Sequence, residues 1–103
     1  MRSYFRPIIF TSLIMIVLHS HILAEPAYAK WGRIAMQETS ERYQSSIIDY
    51  LHIGHTQISD EISEERFKLW LEDSRRQFGV YVTIQFNSTT EELISIKFIE
   101  TDR

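Results

Sequence analysis

Arg2 and Arg6, the almost unbroken apolar run Ile8 to Leu18, the helix breaker Pro26 and the small-residue site Ala27-Tyr28-Ala29 follow one another in signal-peptide order. Cleavage after Ala29 would leave 74 residues, enough for one domain and one core. The expected address is therefore secreted or extracellular, in a bacterial type of exported protein. The apolar stretch reaches only Ala24 and carries His19 and His21 near its end, short of the roughly 20 apolar residues a membrane span requires. An anchor made by uncleaved residues 8–24 is the alternative, and the only membrane contact this reading allows.

Residues 30–103 contain no cysteine, so neither a disulfide nor a cysteine-linked lipid can hold the fold or tether it. A domain of this size buries only about 60% of its unfolded surface, so side-chain packing must carry the stability. Trp31, Tyr43, Tyr50, Phe67, Trp70, Phe78, Tyr81, Phe86 and Phe98 supply large areas for it, most of them as core. Nine Lys and Arg against thirteen Asp and Glu give the segment a net charge of −4. That balance argues against a nucleic-acid partner, which would call for a basic stripe, and against adhesion to an anionic membrane.

Lys30 to Tyr43 predicts an amphipathic helix, because at helical period Trp31, Ala35, Met36, Thr39 and Tyr43 share one arc. Ile47 to Ile53 is β-rich and stops at Gly54, and the polar stretch His55 to Glu65 reads as the longest loop. Val80 to Phe86 and Leu93 to Ile99 alternate cleanly and predict an antiparallel hairpin around Asn87 to Glu92. Phe67 to Phe78 fits two periods. Phe67, Leu69 and Leu71 alternate as in a strand, while Phe67, Trp70, Leu71, Ser74 and Phe78 share a helical face with Gly79 at a C-cap position. Composition favours the helix.

Lys30-Trp31-Gly32-Arg33-Ile34-Ala35, Glu38-Thr39 and Gln77-Phe78-Gly79-Val80-Tyr81-Val82-Thr83-Ile84 resemble a family of small exported proteins of Gram-positive bacteria, similar to the YqzG and YhdC proteins, whose function is unknown. In its order of elements the chain is more distantly similar to PepSY-like modules, exported domains thought to bind or inhibit peptidases. The resemblance implies that Phe67 to Leu71 is a strand and that Asp73 to Gln77 is the turn of a second hairpin. The expected fold is then α+β: one N-terminal amphipathic helix packed on a mostly antiparallel sheet of about four strands. A helical 61–78, giving α-β-α-β-β, is the alternative.

Catalytic chemistry finds little purchase. With His52 and His55 as the only histidines after residue 29, Ser45, Ser46 and Asp49 make no recognisable triad with them. His52-Ile53-Gly54-His55 with Asp60 could form a metal clamp only if Gly54 bends the chain, since residues three apart on a strand face opposite ways. The acidic pairs Asp60-Glu61, Glu64-Glu65 and Glu91-Glu92 read as solvated connections. Asn87-Ser88-Thr89 matches a glycosylation acceptor, but in a bacterial protein it reads as the turn itself.

A sheet with one helix has one uncovered face, and the strand reading projects Lys68, Trp70, Tyr81, Thr83 and Lys97 from it. The expectation is a secreted, non-enzymatic module without a cofactor that binds a protein or peptide of the envelope or medium, a peptidase among the candidates, through these residues. A small envelope enzyme or metal-binding protein using His52, His55 and Asp60, or a structural homo-oligomer such as a homodimer, are the rival expectations.

Overall fold

Pro26 opens a turn in which its carbonyl accepts the Ala29 N–H at 3.0 Å, and the chain then enters helix α1 (Ala29–Tyr43). A computed structural model describes residues 25–103, and the apolar run Ile8 to Leu18 lies outside the described residues. The helix begins with Tyr28 as N-cap, whose carbonyl accepts the Gly32 N–H at 2.9 Å. It ends where Gln44 turns left-handed (φ 50°) and donates its backbone N–H to the Ser40 carbonyl. Trp31, Gly32, Ala35 and Thr39 are its buried stripe, with Met36 and Tyr43 half-buried beside them. This is the arc that the periodicity predicts, although the helix follows 28 residues instead of standing at the extreme N-terminus.

Four antiparallel strands follow in a meander: β1 (Ser46–Gln57), β2 (Ile62–Glu72), β3 (Gln77–Asn87) and β4 (Leu93–Thr101), lying in chain order. Phe67 to Leu71 is part of a strand, and the helical alternative for 61–78 is overturned. β2 reads alternately buried and half-buried along its length because α1 covers one face only. The inner face of β2 and β3 is the core: Phe67, Leu69, Leu71, Phe78, Val80, Val82, Ile84 and Phe86, with Trp31 and Ala35 laid on it from α1. Trp31 stacks on Phe86 with ring centroids 4.1 Å apart, and Tyr43 meets Phe78 and Phe98 edge-on at the other end of the helix.

The long loop expected over His55 to Glu65 does not exist. β1 continues to Gln57, β2 starts at Ile62, and only Ile58 to Glu61 turn the chain. Ser59 holds that turn, its hydroxyl accepting the N–H groups of Glu61 and Ile62. The polar residues on either side pair across the ladder, His55 with Glu65, Thr56 with Glu64 and Gln57 with Ser63, so hydrogen bonds replace the apolar contacts that mark a strand in sequence. Asp73 makes the β2–β3 turn by accepting the N–H groups of Arg75 and Arg76, which hold its carboxyl below the usual carboxylate range. Asn87 makes the β3–β4 turn in the same way, accepting from Thr89 and Thr90.

Thr39 is fully buried, and its hydroxyl has no hydrogen-bond partner. An unpaired buried hydroxyl costs about 1–3 kcal/mol, whereas the isosteric valine has nothing to desolvate. Thr39→Val should therefore raise unfolding stability by about 1 kcal/mol in urea titration, while Phe67→Ala, which empties the centre of the core, should cost about 3–5 kcal/mol and leave little folded protein.

Candidate functional site

The register places the outer face of the sheet in four rows running across the strands. Asp49, Trp70, Gly79 and Thr101 make the first; Leu51, Lys68, Tyr81 and Ile99 the second; Gly54, Arg66, Thr83 and Lys97 the third; Thr56, Glu64, Gln85 and Ser95 the fourth. Lys68, Trp70, Tyr81, Thr83 and Lys97 thus lie on one face. The first two rows hold the large apolar side chains of this face, Trp70, Leu51, Tyr81 and Ile99, together with Asp49, Lys68 and Thr101, and the last two are polar. Ile48 lies beside Trp70 in a cavity of about 250 Å³ closed by Phe78 and the C-terminal Asp102 and Arg103. Leu51 and Ile99 are 51% and 58% exposed and Tyr81 is 40% exposed, a concentration of uncovered apolar surface.

Lys68 organises this patch. Its ammonium stands 4.9 Å from the Trp70 ring centroid and 5.0 Å from that of Tyr81, and it donates to the Arg103 carbonyl at 2.7 Å. Gly79 lets the C-terminus pass close: a Cβ there would fall 2.8 Å from the Arg103 carbonyl carbon. In the polar rows Arg66 donates to Thr56 and Glu64, and Gln85 donates to Glu64, so that end is tied up internally.

On the inner face, His52 and His55 do converge, because β1 carries a bulge between His52 and Gly54 that brings both onto the same side. Their common partner is Glu65. His52 Nε2 lies 2.7 Å from one carboxylate oxygen and His55 Nδ1 lies 2.5 Å from the other. The Glu65 side chain is only 6% exposed, which corrects its reading as part of a solvated connection. Asp60 sits exposed in the β1–β2 turn, and among the described residues no group of three or more His, Asp or Glu is arranged to hold a metal ion. Tyr28 covers His52, its ring stacked on the imidazole at 3.8 Å and 7°. The missed signal was the parity of Glu65 with Phe67, Leu69 and Leu71, which marks it as an inner-face residue once the strand is extended.

A family of proteins of unknown function, DUF3889, matches residues 8–100. The chain belongs to this family. Among curated proteins and among solved structures nothing matches it. In this DUF3889 protein no helix of the described residues is long and apolar enough to cross a membrane.

Tyr50 completes the inner group. Burial first, then the neighbouring Tyr28 and Glu65, push its phenol above the ordinary tyrosine value of 10.0. A raised pKa means that the folded state holds the proton more tightly, so this contribution is complete below pH 10 and is lost as pH rises through the folded value. Tyr50→Phe should flatten the alkaline limb of a stability–pH profile. Glu65→Ala should cost about 2–3 kcal/mol in urea unfolding at neutral pH by stripping His52 and His55 of their partner, whereas Asp60→Ala should stay within about 0.5 kcal/mol.

Proposed function

We propose that this chain is an exported, non-enzymatic binding module that takes a protein or peptide onto the apolar half of its open sheet face. The observation that carries the reading is the patch of Ile48, Leu51, Trp70, Tyr81 and Ile99 around Lys68, with Lys97 in the adjoining row. Aromatic anchors with a cation among them and a polar border are the make-up of an interface centre. Export is supported by the leader-like order of residues 1–29. The architectural likeness to PepSY-like modules makes an envelope peptidase the partner class to try first. The positive charges of Lys68 and Lys97 favour a segment that pairs apolar side chains with an acidic group.

The edge strands add a second element to the same reading. β1 is interrupted by two bulges, after Ile47 and after His52, and offers a poor template for strand addition, whereas β4 pairs without interruption from Ser95 to Thr101. A peptide lying over Trp70, Leu51 and Tyr81 would reach Ile99 on this regular edge.

Immobilised folded protein should retain an envelope partner that a Tyr81→Ala/Ile99→Ala variant retains at least about tenfold less, with melting and far-UV dichroism little changed because both side chains are exposed. Trp70→Ala should weaken capture further. Equal retention by wild type and variants overturns the reading, and a dimer in light scattering that the same substitutions dissolve would assign the patch to self-association.

A further inference from the structure

We infer that the leader is removed between Ala24 and Glu25, so that the processed protein begins at Glu25 and keeps Tyr28. The inference rests on the export reading above and revises its boundary, because the small-residue site Ala27-Tyr28-Ala29 lies inside the folded domain.

Three contacts bind the segment 25–29 to the fold. The Tyr28 ring lies flat on His52, the residue that holds one oxygen of the buried Glu65 carboxylate. The Tyr28 carbonyl accepts the Gly32 N–H, so this donor in the first turn of α1 has its partner only while the segment is present. The Glu25 carboxylate receives both terminal guanidinium nitrogens of Arg33, at 3.2 and 3.4 Å. Cutting after Ala29 would remove all of them.

Charge makes the same choice. A chain starting at Lys30 would place a new α-ammonium in the first turn of α1, beside the Lys30 side chain and at the positive end of the helix dipole. No acidic residue stands in that turn to offset it. A chain starting at Glu25 carries its ammonium more than one helical turn away and brings a carboxylate toward the helix start. Of the small residues ahead of Tyr28, Ala27 has Glu25 two positions before it, which departs from the uncharged pattern of a processing site, whereas Ala24 follows Ile22-Leu23.

The full chain produced in a secreting bacterial host and read by intact mass should appear in the medium beginning at Glu25. Ala24→Gln should abolish that product, and Ala27→Gln should leave it. A released chain beginning at Lys30 overturns the boundary alone, whereas a cell-bound chain still carrying residues 1–24 overturns the export reading together with it. Tyr28→Ala in the released protein should lower the melting temperature by roughly 4–8 °C, the shift expected for about 1 kcal/mol in a domain of this size. Unchanged melting would remove the reason for retaining Tyr28 and would also overturn the inference.

Discussion

One helix must cover one face of a four-stranded sheet, and the rest of the molecule follows from that. α1 has 15 residues and is about 22 Å long at 1.5 Å per residue. Four strands at their usual spacing extend roughly 14–19 Å across. The helix lies against β1, β2 and β3, whose inner side chains are closed by Trp31, Ala35 and Thr39, and its last turn reaches β4 where Tyr43 meets Phe98. Ile96 and Phe98 on β4 are only half-buried. No second layer of the described residues lies on the other face, which is why Trp70 and Tyr81 stand there instead of in a core.

β1 meets this constraint with two bulges. Each inserts one extra residue, Ile48 and Ile53, and returns the strand to the parity that points Ile47, Tyr50, His52 and His55 toward α1. Without the second bulge His52 and His55 would face opposite ways, and Glu65 would have one histidine instead of two. The same irregularities protect an edge that would otherwise present an unbroken ladder. Buried charge, strand parity and edge protection are thus settled by one local device, with the extra apolar side chains Ile48 and Ile53 left 48% and 45% exposed.

Much of this fold was legible in the residues. Trp31, Ala35, Thr39 and Tyr43 recur at helical period, and Val80 to Phe86 alternates so regularly that no other element fits. The β1–β2 hairpin was illegible in its outer half because its inner positions are His55, Gln57, Ser63 and Glu65, which look like loop residues until they are paired with one another. Phe67 to Phe78 fitted helix and strand alike, and eleven register pairs between β2 and β3 decide for the strand. Tyr81, Thr83 and Lys97 followed from alternation and Lys68 and Trp70 from the strand that the family resemblance implies, whereas gathering the large apolar side chains into two adjoining rows required the register.

By itself the sequence determined the leader-like start, the absence of cysteine, the amphipathic helix and the two alternating C-terminal strands, because each depends only on neighbouring side chains. It also carried the DUF3889 membership over residues 8–100. The tertiary structure alone decided that Glu65 is buried between two histidines, that Tyr28 stacks on His52 and that Lys68 joins Trp70 to Tyr81. These depend on which residues the ladders set opposite one another, and a bulge of one residue in β1 is enough to change the answer.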